Sequence, residues 1–161
     1  MKLVIDFEIR LMKEADLDLV CQLEISSHSH PWTIGNFLDS IKSGYWCYVL
    51  VSKASPNEIL GHAVLMPGVD ELHLLNITVS ERYRRQKIAY RTLLAMEPIA
   101  KAHSMGSIFL EVRQSNYSAI QLYQSLDYHE LSVRKNYYAS NAQGNAREDA
   151  IVMVKKMVSE S

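Results

Sequence analysis

The sequence predicts an α+β fold: a mixed, mostly antiparallel sheet with its elements in the order β-α-α-β-β-β-α-β-α-β-β. Three observations carry this. The chain has 161 residues, a length typical of one domain of about 100–200 residues. Short strand-like runs in the middle are joined by tight turn signals, which makes antiparallel pairs. Toward the C-terminus, strands alternate with segments of helical period, which brings parallel pairing in beside them.

Element by element, residues 7–12 alternate apolar and charged side chains, the period of a strand. Residues 15–25 place Leu19, Leu23 and their neighbours on one stripe and predict a helix. His30-Pro31-Trp32 interrupts it, because proline disfavours helical geometry in the preceding residue. Thr33 is the expected N-cap of a second helix over 33–41, with Phe37, Leu38 and Ile41 apolar. Residues 45–52 and 59–66 form a hairpin around the turn Ser55-Pro56-Asn57-Glu58. A strand over 71–79 follows Pro67-Gly68. The next helix, over 87–103, contains Pro98, which should kink its axis or end it early. After Gly106, residues 108–112 form a strand with Ile108, Leu110 and Val112 on one face. Ser115 is the expected N-cap of a helix over 116–126, where Ala119, Leu122, Tyr123 and Leu126 share a stripe. Strands over 133–138 and 150–157 flank a polar loop at 140–145. With no repeat and no linker, a single domain over 1–161 is expected.

Composition narrows the function. Apolar residues make up 48% and charged residues 22%, ordinary for a globular protein, so wholesale disorder is excluded. The net charge of −1 is less basic than a generic nucleic-acid binder, so no direct nucleic-acid contact is expected. The longest apolar run, residues 45–51, is too short for a bilayer, and no signal-peptide pattern opens the chain. A cytoplasmic location without membrane contact follows. Two cysteines, Cys21 and Cys47, exclude a disulfide framework. His28-x-His30 lacks a third ligand, so no metal site is expected.

Charge is concentrated in one place. Arg82, Arg84, Arg85, Lys87 and Arg91 put five of the 17 basic residues into ten positions, where a strand hands over to a helix. Backbone N–H groups at a helix start bind phosphate, and nearby cations strengthen the binding. A small polyanion such as a nucleotide pyrophosphate suits this turn; a solvated charge run is the plainer alternative.

Several motifs then fall in order. Ile77-Thr78-Val79 followed by Arg84-Arg85-Gln86-Lys87-Ile88-Ala89 resembles the acetyl-coenzyme A motif of the Gcn5-related N-acetyltransferases (GNAT), Arg/Gln-x-x-Gly-x-Gly/Ala. Leu110-Glu111-Val112-Arg113-Gln114-Ser115-Asn116, Ala119-Ile120, Leu122-Tyr123, His30-Pro31-Trp32, Asn136-Tyr137-Tyr138 and Arg147-Glu148-Asp149-Ala150 are similar to the branch of that family that acetylates N-terminal alanines of ribosomal proteins. The resemblance covers nearly the whole chain. It implies the three-layer α/β/α GNAT fold and acetyl-CoA as donor. It also implies a protein N-terminus as acceptor, in particular that of a small-subunit ribosomal protein. The departure is Lys87, where the motif has its first glycine. Glycine admits a close backbone approach and positive φ. A lysine there either takes the left-handed conformation at a cost of about 1 kcal/mol or has helical dihedrals and offers its ammonium to phosphate.

The resemblance also assigns roles. Glu111 sits where these enzymes carry a general base; residue position alone favours a surface or salt-bridged strand glutamate, with Arg113 as a partner, and the resemblance reverses that reading. Tyr123 sits at the acid position, where a phenol is a weaker acid than a thiol, so stabilising a departing thiolate is as good a role as proton transfer. Ile77, Thr78 and Val79 are expected to offer backbone groups to the acetyl and pantetheine portion. Arg85, Gln86, Lys87, Ile88, Ala89 and Tyr90 are expected to hold the pyrophosphate, and Asn116 to contact coenzyme A or simply to cap its helix. Trp32, Tyr137 and Tyr138 are candidates to line a peptide groove. An α-amine titrates near pH 7.7–8.0, well below about 10.4 for lysine, so a chain terminus needs only a modest base. A lysine or small-amine acceptor, and a non-catalytic protein-binding module of the same fold, are the alternatives.

Overall fold

The computed structural model describes residues 4–139 and 147–158. The predicted order holds: β1 (Phe7–Leu11), α1 (Leu17–Ser27), α2 (Ile34–Lys42), β2 (Trp46–Ser52), β3 (Ile59–Pro67), β4 (Glu71–Val79), α3 (Ile88–Ala102), β5 (Ser107–Arg113), α4 (Tyr117–Ser125), β6 (His129–Tyr138) and β7 (Glu148–Lys156). The strands hydrogen-bond in the order β1-β2-β3-β4-β5-β7-β6. β1–β2, β2–β3, β5–β7 and β6–β7 are antiparallel, and β4–β5 is parallel. The polar loop at 140–145 lies outside the described residues.

The chain divides into two compact units, Met1–Met66 with Leu75–Leu93 and Pro67–Leu74 with Leu94–Ser161. In the first, β2 is apolar on both faces because both are covered. Val49 and Val51 pack with Met12, Leu17, Val20, Phe37 and Val64, while Leu50 packs with Leu60 and Ile88. Burying apolar surface at about 25 cal/mol per Å² makes these clusters the main stabilising term. Thr33 caps α2 as expected, its hydroxyl accepting from Asn36 N at 3.2 Å. α1 departs from expectation. Its buried positions are Leu17, Val20 and Glu24, whereas Leu19 is 47% exposed. A carboxylate sits where the apolar stripe had to turn inward.

In the second unit, Ile108, Leu110 and Val112 are buried and Glu111 faces the other side, as the alternation predicts. β7 lies between β5 and β6, so the last strand in sequence is interior and β6 is the edge. The β6–β7 register shifts twice, at Glu130/Ser132 and at Arg134/Tyr138. Asn136, at φ 54°, sits in the second of these, a conformation asparagine tolerates better than most residues. Two sequence expectations are corrected here. The N-cap of α4 is Asn116, whose Oδ1 accepts from Ala119 N, not Ser115. α3 does not end early at Pro98 but runs on to Ala102. The proline removes only the hydrogen bond to the carbonyl four residues back, that of the exposed Leu94.

Candidate active site

In the first unit, β4 runs through a 3-10 turn, Glu81–Tyr83, into α3. Arg85 and Lys87 then take φ of 65° and 57°. Lys87 is therefore left-handed, doing with a side chain what the family does with glycine, at about 1 kcal/mol. Backbone N–H groups in such alternating conformations converge into a concavity that binds anions. The basic cluster is smaller than its sequence count. Arg82 is 3.6 Å from Glu58, and its guanidinium lies 5.5 Å from the Tyr83 ring. Arg91 is a structural tie, its Nη1 donating to the Ile5 carbonyl at 2.8 Å and its guanidinium lying 4.5 Å from the Phe7 ring. Arg84, Arg85 and Lys87 are exposed and form no ion pair among the described residues. Beside them, Gln86 Oε1 is buried with no donor. Exposed cations, left-handed backbone and an orphaned acceptor fit a ligand that carries both phosphate and N–H or hydroxyl groups, as acetyl-CoA does. Ile88 is in the core, which leaves its backbone for a ligand; Ala89 and Tyr90 are half-buried beside it.

The strand residues expected to face the acetyl group are set by a close approach. A Cβ on Gly61 would lie 2.3 Å from the Thr78 carbonyl oxygen and 3.2 Å from Val79 Cα, so β3 requires glycine at this point. Val79 packs against the Leu50, Leu60 and Ile88 cluster. The Thr78 side chain enters a largely buried polar network with Glu24, His28 and Asn76, and the His62 ring lies 3.9 Å from Glu24 Oε1 without a hydrogen bond. Sequence reasoning missed this network. Trp32 packs against Phe37 with ring centroids 5.3 Å apart and planes tilted by 49°, and lines a cavity of about 390 Å³ with Asn36, Asp39, Tyr45 and Leu75.

In the second unit, Glu111 is half-buried and its partner is Arg134, at 2.6 Å, not Arg113. The geometry follows from the strand order: Glu111 faces Val152 on β7, and Val152 faces Ser132 on β6. Arg134, two residues on, reaches across β7. Arg113 instead pairs with Glu148 at 3.3 Å. Glu111 also accepts a hydrogen bond from the Tyr137 hydroxyl, which raises that phenol's pKa. The Arg134 guanidinium lies 4.3 Å from the Tyr137 ring. Tyr123 is 7% exposed, and burial pushes its hydroxyl up to about 12. Tyr138 joins the two groups: burial raises its pKa most, with Glu111, Tyr137 and Tyr123 adding to the rise. Sequence reasoning missed Arg134 and gave Tyr138 a place only in a groove. Their proximity to Glu111 depends on β7 lying between β5 and β6 and on the bulge at Asn136. Among the described residues, no three metal-ligating side chains are grouped to hold an ion. No helix is long and apolar enough to cross a membrane.

An exposed basic, left-handed turn from strand to helix in one unit, and in the other a half-buried strand glutamate and a buried tyrosine, are the features expected of a coenzyme A-dependent acyltransferase. The chain belongs to the acetyltransferase (GNAT) family, whose model matches residues 16–128, and it is an N-acetyltransferase. It is 31% identical over 147 residues to a [ribosomal protein bS18]-alanine N-acetyltransferase of Haemophilus influenzae, covering 90% of this chain and 95% of that one. It is 30% identical over 145 residues to the enzyme of the same name from Escherichia coli K12, covering 90% and 94%. The crystal structure of the Escherichia coli ribosomal-protein-S18-alanine N-acetyltransferase superposes with a TM-score of 0.86 at 28% identity, covering 97% of each chain.

Proposed function

We propose that this chain, as one domain over 1–161, moves acetyl from acetyl-CoA to the α-amine of an N-terminal alanine. The acceptor is a cytoplasmic protein, in particular a small-subunit ribosomal protein. The observation that carries this is the likeness, over 90% of the chain, to relatives that bear that activity in their names. The donor supplies a thioester whose carbonyl carbon is the electrophile. The N–H groups around Arg85, Gln86 and Lys87 bind its phosphates, with the Arg84 and Arg85 guanidinium groups adding charge. Backbone groups of Ile77, Thr78 and Val79 orient the acetyl end and supply an oxyanion donor. Asn116, whose Oδ1 already accepts from Ala119 N as the α4 cap and from the Ser118 hydroxyl, has its side-chain amide N–H groups to offer coenzyme A. Glu111 takes the N–H proton released as the amide bond forms. It is suited to this as a half-buried carboxylate held by Arg134 and Tyr137. Tyr123, pushed up to about 12 by burial, keeps its proton and stabilises the departing sulfur by hydrogen bonding.

The test offers the purified protein and acetyl-CoA a panel of alanine-initiated peptides, the same peptides with blocked α-amines, internal-lysine peptides and small amines, and locates the acetyl group by mass spectrometry. Acetyl on the α-amine alone supports the proposal. Efficient acetylation of internal lysines sinks it.

A further inference from the structure

The transfer as described leaves the polar network of the first unit without a task. Glu24 has no exposed surface, and a buried carboxylate is costly unless donors surround it. Here they do. Oε2 accepts from Asn76 Nδ2 at 2.7 Å; Oε1 lies 3.0 Å from His28 Nε2 and accepts from the Thr78 hydroxyl at 3.3 Å. Burial pushes the Glu24 carboxyl up, but the His28 hydrogen bond, the nearby His62 ring and the Asn76 hydrogen bond together outweigh it and hold the group below its ordinary range.

His28 is the C-cap of α1, one turn beyond Glu24, and its side chain is 43% exposed. Its Nε2 also lies 2.8 Å from the Thr78 hydroxyl. The other titratable groups facing this pair are His62 on β3, 3.9 Å from Glu24 Oε1 and fully buried, and Cys21 on α1. Burial lowers His62 to about 4 and raises the Cys21 thiol, so neither is charged near neutral pH. An isolated surface Glu–His pair one helical turn apart contributes little. This pair differs in two respects: its carboxylate is wholly buried, and Thr78, which braces it, belongs to the strand segment proposed to orient the acetyl group. A carboxylate that holds one imidazole N–H fixes the tautomer and leaves the other nitrogen as an acceptor. With Nε2 held by Glu24 and Thr78, that acceptor is Nδ1, on a ring that reaches solvent.

We propose that His28 accepts the surplus proton of the incoming α-ammonium, with Glu24 and Thr78 as its positioning residues; this rests on the acceptor being a protein α-amine. The ammonium gives one N–H proton to His28 Nδ1, leaving a neutral amine and an imidazolium balanced by Glu24, and the ring returns the proton to water. The amine lone pair then forms the N–C bond, a second N–H proton goes to the base of the transfer, and the C–S bonding pair leaves on sulfur. One proton therefore ends in solvent for each ammonium acetylated, with the other available to the thiolate.

The test is the pH profile of kcat/KM for an alanine-initiated peptide in wild type, His28→Gln, Glu24→Gln and Thr78→Val. A hydrazide-initiated analogue, neutral at its nucleophilic nitrogen throughout, runs alongside. His28→Gln, at an exposed helix end, should fold and bind acetyl-CoA normally by calorimetry. Its acidic limb should move up to the amine's own titration near pH 8, with a loss of about tenfold or more near pH 6.5 that closes near pH 9. The hydrazide rate should be unchanged. Glu24→Gln and Thr78→Val should move the limb the same way by less. A His28→Gln profile parallel to wild type, or an equal loss on the hydrazide, overturns the inference while leaving the proposed function standing. Wild type that acetylates no α-amine at all overturns that proposed function, and this inference with it.

Discussion

Lowering the pH should unfold this protein earlier than its carboxylates alone account for, and His62 is the reason. Its ring has no exposed surface, neither nitrogen has a hydrogen-bond partner, and it stands edge-on to Phe37 at 5.3 Å. Burial lowers its pKa from 6.5 to about 4. Between those values the unfolded ring binds a proton and the folded ring does not, so folding loses free energy as pH falls. The contribution is whole above the unfolded value, 6.5, and gone at the folded value, about 4. By linkage the loss is about 2 kcal/mol at about pH 5 and about 3 kcal/mol in all. Glu24 acts in the same direction, but its ordinary value is 4.5 and its folded value is lower, so it adds little near pH 5. Urea unfolding at about pH 7 and about pH 5 measures the difference. His62→Phe keeps an aromatic ring against Phe37 and removes the titration, so its stability should fall by about 2 kcal/mol less than wild type over that interval. Identical pH dependence in the two proteins would refute the reasoning.

Gly61→Ala should cost about 1–3 kcal/mol by overpacking and weaken acetyl-CoA binding, since the new Cβ meets the Thr78 carbonyl oxygen at 2.3 Å; calorimetry and thermal melts read both. Lys87→Gly should relieve about 1 kcal/mol of left-handed strain and flatten the salt dependence of acetyl-CoA affinity, because one exposed cation is gone. An unchanged salt slope removes Lys87 from the phosphate site. Glu111→Gln and Tyr123→Phe should each lower kcat on the order of 100-fold with acetyl-CoA affinity retained, as single-turnover kinetics will show.

Local physics was legible in the sequence, and pairings across strands were not. The alternation that put Ile108, Leu110 and Val112 inside placed Glu111 opposite them, and the Thr33 cap was plain from its residue type and position. The Glu111–Arg134 pair required β7 to lie between β5 and β6, a long-range choice that no spacing in the chain encodes. The α1 stripe was misplaced for a different reason. Periodicity counts Glu24 as polar and turns it outward, whereas Asn76 and Thr78, more than fifty positions away, make burial tolerable. At the α4 cap, Ser115 and Asn116 are both good capping residues, and the backbone turn decided between them. The conformation of Lys87 was open because either alternative is affordable at about 1 kcal/mol.

The bulge at Asn136 has a consequence away from any ligand. β6 is a ten-residue edge strand with nearly every side chain exposed, the form of surface on which a second chain adds a strand and aggregation begins. Two breaks in its ladder with β7 and a residue at φ 54° twist that edge out of flat register. Glu130, Arg134 and Lys135 add charge along it. An incoming strand would find the repeat of donors and acceptors interrupted and would have to bury like or unpaired charge to continue. The irregularity that aims Tyr137 at Glu111 thus also protects the open edge of the sheet from templating its own assembly.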